Sequence, residues 1–459
     1  MIFWAYIAIL KVLINKKNML SRLKKFILLS GDFIFLTLAL FLTIVIRYPQ
    51  ETWRENFYGH LPHFLVVFVV WLVVFYINGL YNLNTKSSGR RFFISTMSAV
   101  ALSSLLSVIY FYLNVQSTIA PKTNLLIFIG VFTLLFFIWR GIYQALVSPL
   151  IPKSNLAIIG FNKYTETLIE ELKNNPGAGY QTALIFKDTS ELTSLVDSVK
   201  KNNIRAIVIT DDFNKNESLR EALFSCLASN VIFFNYPDFY ELLTGKVPVE
   251  AIDSSWFLDN IREGEKNYYN FIKRIFDFVG AILLLIITAI FWPFIALGIK
   301  FGSRGPVFFT QERYGQNEKI FKMVKFRTMK EDGNNRTMTV EGDKRVTKFG
   351  LFLRKTRLDE IPQVINIIKG EMSFIGPRPE RPEIVSGFEH QIPFYKTRLL
   401  IKPGITGWDQ VSGKYHSPSL EDTLEKLQYD LFYLKHRSFY LDLVITLKTI
   451  ATMMSREGR

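Results

Sequence analysis

The chain has 459 residues, 49% hydrophobic and 15% aromatic with 41 phenylalanines, yet its formal net charge is +15. The length suits two to four domains, and so apolar a composition excludes a disordered chain. A greasy, basic chain points to a membrane protein that turns cationic faces to anionic lipid or anionic substrate.

The first apolar run is followed by Lys16, Lys17, Arg22, Lys24 and Lys25 without a small-residue cleavage pattern, so no cleavable signal peptide is expected. Residues 1–19 read either as an interfacial segment or as an upstream start, with Met19 rather than Met1 as the working one. Four longer apolar runs follow, at about 26–46, 63–83, 92–113 and 124–147, each near the length that crosses a hydrocarbon core. Arg22, Lys24 and Lys25 precede the first; Lys86, Arg90 and Arg91 separate the second from the third; Arg140 and Lys153 end the fourth. The loops around 48–62 and 114–123 carry few cations. The positive-inside rule then predicts a four-helix transmembrane bundle over 1–150 with both ends in the cytoplasm. Asp32, near the start of the first span, reads as an interfacial residue that pairs with a neighbouring cation; a functional intramembrane carboxylate is the alternative.

Over 151–262 the periodicity changes. Short β-rich runs NLAIIG (155–160), TALIFK (182–187), IRAIVIT (204–210) and VIFFNY (231–236) alternate with helical stretches, which predicts βαβ units and a parallel sheet. The first strand runs into Gly160, where a dinucleotide site would need G-x-G-x-x-G. Asn162 and Thr165 replace the later glycines, so the expectation is a Rossmann-like cytoplasmic module with a degenerate nucleotide-binding turn. The single cysteine, Cys226, excludes an intrachain disulfide framework and a cysteine-built zinc site, and the five histidines form no H-x-x-x-H pair.

A further apolar run, IFDFVGAILLLIITAIFWPFIALGI (275–299), has cations on both flanks: Lys273 and Arg274, then Lys300 and Arg304. A simple crossing would put the flanks on opposite sides, against the charge rule. Pro293 removes a backbone donor and clashes with the preceding turn, so a helix that enters, bends near Trp292-Pro293 and leaves on the same face is expected over about 272–300. A spanning fifth helix is the alternative.

From 300 onward the chain is polar and basic. GPVFFTQERYGQ (305–316) leads into FKMVKFRTM (321–329), which alternates like a strand, and then comes RKTRLDEIPQ (354–363). Asp359 and Glu360 are adjacent; side chains one residue apart on an α-helix diverge by about 100°, which suits a division of labour better than a facing acid/base pair. One carboxylate can attack phosphorus, giving an acyl phosphate, while the other binds a cation. The attack meets an anion, so the charge has to be neutralised by Mg2+ with oxygen ligands or by arginine forks. Arg354 falls about one and a half helical turns before Asp359, and Arg378, between Pro377 and Pro379, has few backbone states to lose. A surface helix with ordinary i,i+3 and i,i+4 ion pairs accommodates the same carboxylates. Pro403-Gly404-Ile405-Thr406-Gly407-Trp408 reads as a tight turn, with Trp408 either in the core or at the membrane interface. Tyr429 to Arg456 reads as an interfacial amphipathic helix or as a tail packed on the preceding domain.

These motifs together resemble the polyprenyl-phosphate sugar-1-phosphate transferases, the monotopic phosphoglycosyl transferase superfamily. The matching elements are K-R-x-F-D (273–277), the Pro-broken helix, GPVFFTQERYG, KFRTM (325–329), LRKTRLDEIPQ (353–363), IIKGEMSFIGPRP (367–379), IKPGITGWDQVSG (401–413) and YDLFYLKHRSFYLDL (429–443). The first 260 residues are similar to the extra part of the larger members, the exopolysaccharide or O-antigen initiating type. The resemblance implies a catalytic domain over 263–459. It implies that Asp359 is the nucleophile that takes sugar phosphate from a UDP-sugar with release of UMP, and that the phosphosugar passes to polyprenyl (undecaprenyl) phosphate. It implies Glu360 as the paired carboxylate associated with Mg2+, so that Asp359 and Glu360 form the metal set, and Arg354 and Arg378 around the phosphates. Lys325 and Arg327 belong to a basic motif near the same site. Two departures stand out. Trp292 precedes Pro293 where many members have serine, and Lys414 follows Ser412-Gly413 where many have arginine, which keeps the charge but loses the fork.

The expectation is a multi-pass enzyme of the bacterial cytoplasmic membrane, catalytic domain on the cytoplasmic face, that begins a lipid-linked capsule, exopolysaccharide or O-antigen glycan. Membrane lipid is a partner, nucleic acid is not, and a homodimer through the middle module is an open option. The alternatives are a membrane-anchored sugar-nucleotide epimerase or dehydratase, which needs the missing glycine fingerprint, and a non-enzymatic membrane scaffold.

Overall fold

The computed structural model describes residues 19–49, 51–81, 90–113, 121–147, 153–187, 189–210, 217–229, 231–330, 343, 345–412 and 419–455. Residues 1–18, the loop cation Lys86 and Lys414 lie outside them. The chain divides into two compact units, Met1–Thr244 and Gly245–Arg459.

The first unit opens with four helices, α1 (Met19–Arg47), α2 (Trp53–Ile77), α3 (Arg90–Leu113) and α4 (Pro121–Ile142). All four are long and apolar enough to cross a membrane. Helix α2 starts well before the apolar run at 63 and continues through Pro62. Its first turns are polar, so hydropathy hides them. His60 is buried there, with Nδ1 2.6 Å from Asn56 O and Nε2 2.8 Å from the Asn124 amide on α4. Two aromatic ridges interlock along the core. Phe64, Phe68, Trp71 and Phe75 recur at helical spacing on α2, and Phe128, Phe132 and Phe136 do so on α4. Their rings meet at 5.1 Å (Phe64–Phe128), 5.1 Å (Trp71–Phe132) and 5.2 Å (Phe75–Phe136), distances at which edge-to-face pairs add to simple burial. Asp32 does pair with a cation, as expected: it is fully buried against protein and lies 2.7 Å from Arg140 on α4. Removing one member of such a pair strands a charge and costs about 3–5 kcal/mol. Gly31 lets Trp139 close over this pair, since a Cβ there would lie 2.0 Å from the indole.

The second part of this unit is a four-stranded, all-parallel sheet of β1 (Ser154–Ile159), β2 (Tyr180–Phe186), β3 (Ile204–Ile209) and β4 (Ile232–Asn235), in the order β2-β1-β3-β4. All four predicted strands are present. Helices α5 (Lys163–Asn174), α6 (Leu195–Lys201), α7 (Glu217–Ser225) and α8 (Tyr236–Thr244) connect or follow them. At the head of α5 the Asn162 side chain accepts from the Tyr164 and Thr165 amides, and Thr165 Oγ1 answers the Asn162 N–H in a capping box. Thr165 and Thr210 hydroxyls meet at 3.1 Å, and Asn162 Nδ2 donates to Thr210 O.

In the second unit, α9 (Ser254–Asn260) precedes α10 (Asn267–Ala289) and α11 (Trp292–Gly302). The two apolar helices bend by 63° where the chain breaks before Trp292. Pro293 falls in the first turn of α11, where its missing N–H costs nothing. The bend therefore lies where the proline predicted it. Strands β5 (Phe308–Tyr314) and β6 (Ile320–Phe326) form an antiparallel hairpin. Helix α12 (Lys348–Lys355), a 3-10 turn over Leu358–Gln363 and α13 (Val364–Lys369) lead to β7 (Ser373–Ile375), α14 (Pro382–Phe388) and β8 (Gly404–Thr406). Helices α15 (Trp408–Ser412), α16 (Leu420–His436) and α17 (Phe439–Ser455) close the chain.

The segment 404–406, expected as a tight turn, is instead a strand parallel to β7. Three glycines make this possible: a Cβ at Gly376 would lie 2.3 Å from Lys402 O, one at Gly404 2.2 Å from Gly376 N, and one at Gly407 2.4 Å from Gly376 O. Trp408, half-buried, stacks on Phe432, donates to Gly245 O and packs against the core. The terminal helices pack on the core through Leu427, Leu431, Leu434, Leu441 and Ile445, while Tyr440, Leu443 and Met453 stay exposed. Val247, Val249 and Trp256, which the sequence pattern grouped with the middle module, join the same core.

Candidate active site

The K-R-x-F-D motif anchors α10 to the strands beside it. Lys273 pairs with Asp442 at 3.0 Å, the Arg274 guanidinium donates to Ile367 O and Ile368 O at the end of α13, and Asp277 accepts from the Phe374 amide on β7. Those contacts fix α13 and β7, which flank the two segments that carry the site.

The first segment breaks at Arg357. Helix α12 stops at Lys355, Arg357 takes a left-handed conformation (φ 58°), and the 3-10 turn begins at Leu358. A non-glycine residue held there stores backbone strain of about 1–3 kcal/mol. Asp359 and Glu360 therefore lie on a 3-10 turn, about 120° apart rather than 100°, and Arg354 is on a different helix from Asp359. The helical-turn spacing expected for Arg354 is replaced by this break. Arg354 donates from Nε to Thr328 Oγ1 at 2.9 Å, and its charge still acts on Asp359.

Glu360 is buried. Its Oε1 accepts from Lys325 Nζ at 2.7 Å and from Arg378 Nη2 at 3.1 Å. Lys325 reaches it from the end of β6 and Arg378 from the segment after β7. Burial works to raise the Glu360 pKa, but Arg378 and Lys325 outweigh it and hold the carboxyl well below the usual range. Burial lowers Lys325, against the pull of Glu360. Asp359 behaves oppositely: burial, then the adjacent Glu360 charge, raise it, against the pull of Lys325, Arg354 and Arg357. Its Oδ1 is buried with no hydrogen-bond partner. Two carboxylates thus face four cations, and one of the carboxylate oxygens is buried without a partner. A small pocket opens beside them, lined by Arg313, Met323, Lys325, Gln363, Arg378, Pro379 and Gly404.

Of the residues singled out in the sequence, Lys325, Glu360 and Arg378 are in direct contact, and Asp359 and Arg354 share their field. Arg327 instead donates to Ser303 O at the end of α11, and its Nε and Nη1 are buried without partners. Pro293 is at the bend of the apolar helices. Sequence reasoning missed Arg313, Glu380, Arg398 and Asp430, which surround the Arg378 segment. Arg313 lay within the quoted QERYG stretch, but nothing in its spacing tied it to Arg378.

Among the described residues no three His, Cys, Asp or Glu side chains gather as a metal cage. Magnesium does not need one, because it usually keeps several waters and takes one or two carboxylates plus substrate phosphates. The unpartnered Asp359 Oδ1, next to Glu360, fits that kind of ion.

Residues 268–456 match the sequence model of a family described as "Bacterial sugar transferase". The chain is 35% identical over 235 residues to the UDP-N-acetylgalactosamine-undecaprenyl-phosphate N-acetylgalactosaminephosphotransferase of Aeromonas hydrophila, covering 51% of this chain and 55% of the relative. It is 29% identical to the UDP-glucose:undecaprenyl-phosphate glucose-1-phosphate transferase of Xanthomonas campestris pv. campestris, covering 69% and 70%. It is 30% identical to the enzyme of the same name from Escherichia coli K12, covering 65% and 67%. The match thus spans about half the length of the first relative and about two thirds of the other two.

Proposed function

The chain belongs to the bacterial sugar transferase family, and from that premise we propose that it transfers a sugar-1-phosphate from a UDP-sugar to a polyprenyl phosphate, releasing UMP. The observation that carries the reading is Asp359: a buried carboxylate oxygen without a partner, among more cations than carboxylates.

In the first half-reaction an Asp359 oxygen bonds to the phosphorus that bears the sugar. The bond from that phosphorus to the oxygen bridging to the nucleotide breaks, and UMP leaves with the electron pair. In the second, an oxygen of polyprenyl phosphate attacks the same phosphorus and Asp359 returns as a carboxylate. Glu360 is the poorer nucleophile, because Lys325 and Arg378 hold its Oε1 and draw its basicity down. The same two cations, with Arg354 and Arg357, offset the diphosphate charge that Asp359 has to approach. The Arg378 fork is half-exposed and free to take a phosphate oxygen on its open side. Asp359 and Glu360 are the residues that would hold Mg2+, which when bound supplies further neutralisation of the diphosphate.

The wider reading follows from charge and shape. The 63° bend at Ile290–Phe291, with cations on both flanks, supports a re-entrant helix that keeps the site at the bilayer surface. Water-borne UDP-sugar and membrane-borne polyprenyl phosphate meet there. The four-helix bundle then anchors the protein in the cytoplasmic membrane with its catalytic domain on the cytoplasmic face, and the parallel-sheet module is Rossmann-like with a closed nucleotide turn. Homodimerisation and the start of a capsule, exopolysaccharide or O-antigen glycan belong to the same proposal. The test is UMP release from UDP-glucose, UDP-galactose, UDP-N-acetylglucosamine and UDP-N-acetylgalactosamine by membranes holding the protein, with Mg2+ and polyprenyl phosphate. Release with at least one sugar, lost without Mg2+, is expected; no release with any of them from folded protein contradicts the reading.

A further inference from the structure

The segment Gly376-Pro377-Arg378-Pro379-Glu380 carries a phosphate-directed arginine, yet two of its five residues are prolines and have no N–H to donate. Apart from the Gly376 amide, which donates to Thr406 O, it is held through its carbonyls. Four consecutive ones accept a hydrogen bond: Pro377 O from the Gly404 amide (2.9 Å), Arg378 O from Arg398 Nη2 (3.2 Å), Pro379 O from Arg313 Nη1 (3.1 Å) and Glu380 O from the Tyr314 amide (3.0 Å). The outer two bonds come from neighbouring backbone. The inner two, to the carbonyls on either side of the Pro379 ring, come from guanidinium groups.

Both guanidiniums are themselves fixed. Arg398 is 3% exposed, pairs with the buried Asp430 at 2.7 Å and donates from Nη1 to Tyr395 OH at 3.1 Å. Arg313 donates from Nη2 to Gln311 Oε1 at 2.7 Å. The Glu380 carboxylate lies between the two, 4.0 Å from Arg313 and 3.8 Å from Arg398. Burying two arginines and two carboxylates is expensive unless each is paired and bonded. A backbone amide or a water would satisfy a lone carbonyl more cheaply, so the chain spends four charges on aiming one short segment. Arg313 lines the pocket, but its two terminal nitrogens are already engaged with Pro379 and Gln311.

We propose that Arg313 and Arg398 are positioning residues for the transfer reaction: by clamping the carbonyls of Pro379 and Arg378 they set the direction in which Arg378 meets Glu360 and the substrate phosphate. The proposal rests on the reading of Arg378 as a phosphate ligand. The Arg378 side chain itself is left free of the clamp, with Nη2 on Glu360 and the rest of the fork half-exposed. Arg398 reaches Tyr395 OH with Nη1 and Arg378 O and Asp430 with Nη2, and a lysine ammonium is a point charge without that fork, so lysine is a poor substitute at 398.

The test is a set of double-mutant cycles on single-turnover UMP release, with purified full-length protein in excess and the UDP-sugar turned over fastest in the panel. Arg398→Lys and Arg313→Gln each slow release by about 10- to 100-fold, the range expected when a group near the reacting centre is misplaced by about an ångström. In an Arg378→Ala background neither substitution has a further effect, because nothing is left to aim. Additive losses in that background overturn the clamp and leave the transferase reading standing, since Arg378→Ala alone is still slow. Full activity of Arg378→Ala overturns the reading of Arg378 as a phosphate ligand, and the clamp with it. Circular dichroism and melting check each variant; where Arg398→Lys does not fold, the cycle with Arg313→Gln decides alone, and unchanged release in Arg313→Gln overturns the proposal.

Discussion

Two turns in this chain look like places to hold a phosphate, and they solve the problem of their polar groups in opposite ways. The turn after β1 presents the first amides of α5, which in a dinucleotide site would meet a pyrophosphate. Here the Asn162 carboxamide oxygen takes the Tyr164 and Thr165 amides, and the Thr165 hydroxyl bonds to Gly160 O and to the Thr210 hydroxyl. The 3-10 turn at Leu358–Gln363 does the reverse. Its chain is strained at Arg357, Asp359 keeps a buried oxygen without a partner, and four cations surround two carboxylates. Polar groups that satisfy each other make a stable joint; polar groups left unsatisfied, in a field of one sign, make a site that a ligand completes.

The contrast can be broken most easily at Asp359. Asp359→Asn keeps the shape but cannot form an acyl phosphate, so UMP release falls by at least about a thousandfold while the circular dichroism spectrum is unchanged. Residual turnover near wild type would place the chemistry elsewhere. Glu360→Gln and Arg378→Lys come next, each reducing kcat/KM by about 10²- to 10³-fold, because one removes the anchor of two cations and the other the fork proposed to meet phosphate. A loss under threefold in both would mean that this cluster is a structural ion pair only.

The pH profile sharpens the comparison further. Burial and the Glu360 charge raise Asp359 in the metal-free protein, and on the proposed mechanism that carboxyl must be ionised to attack, so kcat/KM measured at subsaturating Mg2+ falls on the acid side at a pH above the ordinary 3.8 of an aspartate. Glu360 stays ionised throughout that limb, since its carboxyl is held far lower. Arg354→Gln removes a cation that pulls Asp359 down, so the limb moves to higher pH in that variant. A limb that does not move separates Arg354 from the nucleophile. The smallest effect belongs to the closed turn. Asn162→Ala costs about 1 kcal/mol of stability through the lost cap and leaves UMP release unchanged; a drop in release at constant fold would mean that this turn takes part in function.

Much of this architecture is legible in the sequence because it is periodic. The four apolar helices and the four parallel strands announce themselves through runs of the right length, and Pro293 marks the bend. What escapes is what depends on distant partners. The first turns of α2 are polar, and only the pairing of His60 with Asn124 shows why they are helical. For Asp32 the sequence calls for a cationic partner but does not point to Arg140, far along the chain. β8 reads as a turn because its extended shape comes from lying against β7, where Gly376, Gly404 and Gly407 allow backbones to approach. At the candidate site the residue types were readable, and Lys325, Glu360 and Arg378 do come together. Their aim was not: the break at Arg357 and the clamp by Arg313 and Arg398 are tertiary, and Arg327 belongs to α11 rather than to Glu360.

The most direct test of the central claim leaves the lipid out. Purified protein incubated with the active UDP-sugar and Mg2+, but no polyprenyl phosphate, should release one UMP per active chain. Intact mass followed by peptide mapping should then find a phosphosugar on the peptide holding Asp359. No UMP until polyprenyl phosphate is added, and no adduct on Asp359 in wild-type protein, would contradict a covalent transfer through that carboxylate.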